Sequence, residues 1–292
     1  MQCAKRTIIS GTVLLAAWLA AVPLPAVEAP AAGPASPSPA MEQVLRMANF
    51  LAQLKQFSVA LQTGYDVVQE SGQKIEFGES RKLTLVRPDR FRVDVERSDG
   101  ESLTAVFDGK AVTVFNAKQN MYALSEVQGD VDAAMIHFVK DLQMRLPLAM
   151  LFVTALPREL ERRVVGADIV ETSSLQGTPC VHLAVRGESV DFQLWLPTTG
   201  DPLPRRIILT YKNEIGQPQY WANFSDWNLS PNPPGSLFSL DIPKDANRIQ
   251  FLSQVPKAPK PAISPEQITR HSLFKDAQVL LVAPMFVAFA IL

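Results

Sequence analysis

Between Leu83 and Val127, apolar and polar residues alternate in short runs parted by turn signals. Phe91, Val93 and Val95 recur at every second position, as do Leu103, Ala105 and Phe107, and the runs 111–115 and 122–126 continue the series. Asp99-Gly100 and Asp108-Gly109 stand between runs. Asp-Gly supplies the positive φ of tight hairpins, so the stretch predicts an antiparallel meander with one apolar face. Alternation begins earlier, in Val59, Leu61, Thr63, Tyr65 and Val67 and then in Ile75, Phe77, Leu83 and Leu85, with Ser71-Gly72 as the turn. After Gly166 it returns over 181–185, 190–196, 206–211 and 219–227.

Two segments follow the helical period instead. Val44, Met47, Leu51 and Leu54 repeat at three-and-four spacing behind Ser38-Pro39, a pair suited to cap and start a helix. From Asp130, a suitable N-cap, the set Val131, Met135, Phe138, Val139, Leu142 and Leu146 predicts a second helix that Pro147 ends or kinks. Leu148 to Leu156 is almost wholly apolar, which predicts a segment buried on most of its surface. The order helix, sheet, helical insert, sheet predicts an α+β domain, a single curved antiparallel sheet with helices covering its concave face.

Certain residues carry a resemblance. Arg87-Pro88-Asp89-Arg90-Phe91-Arg92 closes a long strand, a hairpin follows, and Asp108-Gly109-Lys110 opens a strand ending in Phe115. Further on come Leu194-Trp195-Leu196-Pro197, Leu203-Pro204-Arg205-Arg206 and Leu237-Phe238 leading to Asp241-Ile242-Pro243. In this order the segments resemble the periplasmic lipoprotein carrier superfamily and, more closely, an uncharacterised family of predicted bacterial periplasmic proteins within it. The resemblance covers about residues 41–251. It implies an incomplete β-barrel with a helical lid, and in the carrier the matching arginine points into the cavity and holds the lid by hydrogen bonds. Counting by twos from Leu83 and Leu85 puts Arg87 on the face assigned to the concavity, which makes it the candidate latch. A latch acts on the lid equilibrium rather than the core, so Arg87→Leu is expected to stabilise the empty fold or leave it unchanged while altering ligand release.

The ends add a compartment. Lys5 and Arg6 precede the uncharged run Thr7–Val27, with small residues at Ala26, Ala29, Ala31 and Ala32, so residues 1–26 read as an export signal whose cleavage is expected to leave the mature chain in the periplasm. Residues 27–39 form an Ala/Pro/Ser-rich linker, 40–252 the carrier-like domain, 253–265 a Pro-rich linker and 266–292 an apolar tail. Ala277–Leu292 is uncharged, but a helix of that length reaches about 24 Å against a hydrocarbon core near 30 Å, so the tail is expected to contribute membrane contact at most and not a span. Losing Lys5 and Arg6 takes the net charge from −1 to −3. No basic field remains to attract nucleic acid. Cys180 alone survives cleavage, which excludes an intramolecular disulfide, and it is expected to be a small packed residue.

Catalytic signatures are missing. His137, His182 and His271 fall in no zinc spacing, the glycines in no nucleotide-binding spacing, and no Gly-x-Ser-x-Gly elbow occurs. Metal and cofactor are therefore not expected, and neither is enzymatic activity. The soft apolar side chains Met135, Met144, Met150, Phe138 and Phe152, with Leu142, would suit acyl chains of varied shape or simply a core. Phe91, Phe107, Trp195 and Trp221 are likewise cavity candidates or core residues. The ligand set expected is thus Arg87, Phe91, Phe107, Met135, Phe138, Leu142, Met150, Trp195 and Trp221. The function expected is binding or carriage of a lipid or lipid-modified ligand, such as an acyl chain or a lipoprotein, between barrel and lid. The alternative is a sensor that recognises lipoproteins and signals to a protein partner.

Overall fold

The computed structural model describes residues 37–144 and 147–254. The expected export signal, most of the linker expected after it, and the expected C-terminal linker and tail beyond residue 254 lie outside the described residues. Helix α1 (Pro39–Gln53) starts where Ser38 accepts a hydrogen bond from the Met41 N–H and Pro39 fills the first turn. It buries Val44, Met47, Ala48 and Leu51 along one stripe. Twelve strands follow in one sheet. The first meander is β1 (Gln56–Val68), β2 (Lys74–Val86), β3 (Arg90–Arg97), β4 (Ser102–Phe107), β5 (Ala111–Asn116) and β6 (Met121–Glu126). The second is β7 (Val164–Leu175), β8 (Thr178–Gly187), β9 (Val190–Pro197), β10 (Arg206–Tyr211) and β11 (Gln219–Asn228).

The order β12-β6-β5-β4-β3-β2-β1-β11-β10-β9-β8-β7 joins the two meanders where β1 pairs with β11. All pairs are antiparallel except the short β12 (Asn247–Ile249), which lies parallel to β6. The sheet is not closed. Its edges are β7 and β12, so it is a half-barrel with one face turned inward. At the Asp-Gly turns Gly100 and Gly109 have φ of 77° and 90°, the left-handed backbone that hairpins require of glycine.

The register aligns the inward face. Phe57 sits opposite Leu85, Leu85 opposite Phe91 and Phe91 opposite Phe107, so four buried side chains cross four strands in one row. Such rows exclude water from the concavity at about 25 cal/mol per Å² of apolar surface. On the other face Gly64 lies opposite Trp221, and a Cβ there would meet the indole at 2.6 Å. Glycine is what lets the ring lie flat on the strand.

The helical insert differs from the expectation of one helix to Leu146 followed by a buried helical run. Helix α2 (Val131–Ile136), capped by Asp130, widens into a π-turn at His137–Asp141 and stops. Gln143 and Leu148 have φ of 54° and 72°, conformations no helix continues through. After Pro147 the apolar run gives only a 3-10 turn at Ala149–Phe152 and then α3 (Leu156–Arg163), which feeds directly into β7. Apolar content set the burial, while backbone breaks at two non-glycine residues set the shape. No helix among the described residues is long and apolar enough to cross a membrane.

Candidate functional site

Arg87 follows the last residue of β2 and reaches three covering segments at once. Its Nε donates to the Leu54 carbonyl at the end of α1 (3.0 Å), Nη1 to Asp132 Oδ1 of α2 (3.2 Å) and Nη2 to the Phe152 carbonyl of the 3-10 turn (2.7 Å). Asp132 Oδ2 in turn accepts from the Thr154 N–H (2.9 Å) and hydroxyl. The Arg87 side chain is 11 % exposed and that of Asp132 19 %. Guanidinium geometry serves this junction, because its fixed fork supplies donors in several directions from one stem.

Between the sheet and the helical segments lies a cavity of about 340 Å³, at the small end of the range of small-molecule sites. Val190, Phe192 and Leu194 of β9 and Ile207 of β10 form its floor. Met47 of α1, Leu148, Met150 and Leu151, and Leu156 and Leu160 of α3 cover it. Its polar lining, Glu159, Arg163 and the β8–β9 turn at Glu188 and Ser189, reaches solvent and forms the rim, with the buried Gly187 beneath it. Glu159 is held below the usual carboxylate range chiefly by its hydrogen bond from Arg162, with Arg163 assisting.

A polar cluster sits deeper in the half-barrel. Glu79 and Arg81 occupy the same face of β2 as Leu83 and Leu85, and Arg81 donates through Nε (3.0 Å) and Nη2 (2.5 Å) to Glu79 Oε2. The side chains are 6 % and 14 % exposed. Arg97 approaches Glu79 from β3 (3.9 Å) and is itself bonded to Glu101. Tyr220 of β11 lies over Arg81, 6.0 Å from ring centroid to guanidinium. Burial pushes the Tyr220 phenol up, against the opposing pull of Arg81, so it is a neutral donor. Thr63 is a neighbour outside hydrogen-bond geometry, its hydroxyl donating to the Glu79 carbonyl (3.3 Å).

Apart from Arg87 at the junction, the expected ligand set divides among four places. Met150 lines the 340 Å³ cavity and Met135 a smaller chamber of about 40 Å³ against Arg81 and Tyr220. Phe91, Phe107, Phe138 and Leu142 are at most 2 % exposed and line neither, being packed core; the first two rings lie 5.7 Å apart. Trp195 and Trp221 face away from the cavity, which corrects their assignment. They alternate with the inward Leu194, Tyr220 and Ala222; Trp195 stacks on His182 (4.0 Å) and Trp221 donates to Glu76 (3.0 Å). Large aromatics find room on the outer face because a small residue or a flat ring lies opposite. Glu79, Arg81 and Tyr220 escape the sequence reading, as does the rim, although counting back by twos from Leu83 reaches both charges.

Cys180 is fully buried, and burial pushes its thiol up despite Arg205. Iodoacetamide is therefore expected to leave Cys180 unlabelled in the native protein and to label it fully in denaturant, read by peptide mass spectrometry. Native labelling at the rate of an exposed thiol would contradict the burial. No cluster of metal-ligating side chains occurs among the described residues.

No curated protein matches the chain. Among solved structures, an uncharacterised conserved protein from Thermus thermophilus is 13% identical, with 72% of this chain and 98% of that one covered and a TM-score of 0.43. A LolA superfamily protein from Nitrosomonas europaea is 12% identical over 69% of this chain and 98% of its own, TM-score 0.38. A chain of the Pseudomonas aeruginosa MucA/MucB complex is 18% identical over 69% and 60%, TM-score 0.38. No functional conclusion follows from similarity of this order. The sequence-family comparison is decisive for membership: residues 40–252 match the model described as "Predicted periplasmic protein (DUF2092)", and the chain belongs to that family.

Proposed function

We propose that the domain is a periplasmic binding module that holds a lipid or lipid-modified ligand between the half-barrel and its helical cover, after export and removal of the N-terminal signal. The carrying observation is the 340 Å³ cavity, whose floor is sheet and whose cover is three helical segments, with apolar walls and a polar rim. Arg87 bonds to the end of α1 and to the 3-10 turn, two of those segments, and to α2, so polar contacts join the sheet to the helical segments over it. The cavity suits a single chain rather than several. Protein purified from its native periplasm is expected to carry an extractable acyl lipid, detected by native mass spectrometry, and to bind an apolar dye that the same lipid displaces. Protein that carries no lipid and binds no dye would exclude this reading.

A second reading is favoured by the β7 edge. Val165, Ile169 and Val170 are 71 %, 51 % and 54 % exposed on a strand whose outer side has no neighbour in the sheet. Ser38 donates to the Ala167 carbonyl of this edge (3.2 Å), and the rest of an apolar edge strand is a template for a strand from another chain, as a lipoprotein sensor with a protein partner would require. A carrier releases lipid to an acceptor, whereas a sensor forms a complex whose stability depends on lipid. Pull-down from periplasm with and without added lipid distinguishes them.

A further inference from the structure

Tyr220 Oη is a fully buried hydroxyl with no hydrogen-bond partner among the described residues. Native proteins leave few such atoms, and those they leave face a water, an ion or a ligand group. Arg81 beside it spends Nε and Nη2 on Glu79, which leaves Nη1 as a second donor. Both residues line the 40 Å³ chamber with Leu61, Leu83, Met135 and Leu148. That volume admits a water-sized polar group and no chain. Leu148 lines this chamber and the 340 Å³ cavity alike, so its side chain stands between the two.

We infer that the small chamber is the head-group end of the ligand site: Tyr220 Oη and Arg81 Nη1 donate to the carbonyl oxygen of an acyl chain, and the tail passes Leu148 into the larger cavity. The donors ask for an acceptor, and Glu79 already neutralises the guanidinium, so a carboxylate and an ester satisfy the same chemistry. The rim is the other place a head group could sit. Its Glu159 is committed to Arg162 (2.6 Å) and Arg163 (2.9 Å), and no polar atom there is both buried and unpartnered among the described residues.

This inference rests on the proposed lipid binding, and one titration separates the two. In mature protein loaded with the apolar dye N-phenyl-1-naphthylamine, palmitic acid and methyl palmitate are added as displacers. Tyr220→Phe keeps the ring and removes only the hydroxyl, so it is expected to weaken displacement about tenfold while dye affinity stays within about twofold. Weakening for both lipids identifies the carbonyl as the contact, and weakening for the acid alone identifies a free carboxylate; either supports the site. Equal displacement in variant and wild type would overturn it and leave the binding reading intact. Loss of dye binding in the variant alone would also overturn it, since the hydroxyl would then be supporting the whole cavity. Wild-type protein that binds neither dye nor lipid would overturn both.

Discussion

Arg87→Leu is expected to lower stability by about 2–4 kcal/mol and to speed exchange of a bound apolar probe. The guanidinium makes three bonds to the cover, and removing it leaves the Leu54 and Phe152 carbonyls without that donor and Asp132 without its cation. Stripping one partner from a buried ion pair costs about 3–5 kcal/mol. The figure here is lower because Asp132 is 19 % exposed and keeps both bonds from Thr154. For a domain of this size that corresponds to a fall in Tm of about 5–15 °C. This corrects the expectation from sequence that the substitution spares the empty fold: a latch with three bonds in a nearly dry site is also a structural tie. The Arg87→Leu, Asp132→Leu pair and their double mutant separate the terms. A coupling of about 1.5–3 kcal/mol is expected, and a coupling near zero would show that the Asp132 contact contributes nothing. Probe dissociation measured by stopped flow should rise in each single variant, because each loosens the cover rather than the floor.

How far the sequence spoke varies by residue. The hairpins are legible because Asp99-Gly100 and Asp108-Gly109 combine positive φ with alternation on both sides, and alternation puts Phe91, Val93 and Val95 on one face with Leu103, Ala105 and Phe107, which the structure pairs across β3 and β4. Counting by twos also put Arg87 inside. The same rule applied from Leu194 turns Trp195 outward, so parity rather than aromatic character carries the signal at that position. Whether an inward residue lines a void or fills it was not legible. Phe107 and Met135 share an inward address, and only the local fit of neighbouring side chains leaves space beside one of them. The left-handed Leu148 had no signal either, since β-turn chemistry marks Gly and Asn there and leucine is held by its surroundings. Helix α3 was hidden because it presents only Leu156 and Leu160 to the core.

Glu79→Leu is expected to cost about 3–5 kcal/mol, the largest single-site effect on stability, because it leaves the Arg81 guanidinium inside the half-barrel without its carboxylate. Leu83 and Leu61 offer that charge nothing, and the neutral Tyr220 beside it supplies no countercharge. Replacing both members, Glu79→Leu with Arg81→Leu, removes the two desolvated charges together, so most of the loss should be recovered. The recovered protein is then informative about function. Its floor and cover are unchanged, and dye binding should persist; with Arg81 Nη1 gone, displacement by palmitic acid should fall as it does for Tyr220→Phe. Urea unfolding of the single and double variants, followed by the dye titration, checks both steps. A single variant within about 1 kcal/mol of wild type would show the pair to be solvated in solution. A double variant that is stable yet displaces like wild type would show that the charges serve the fold alone.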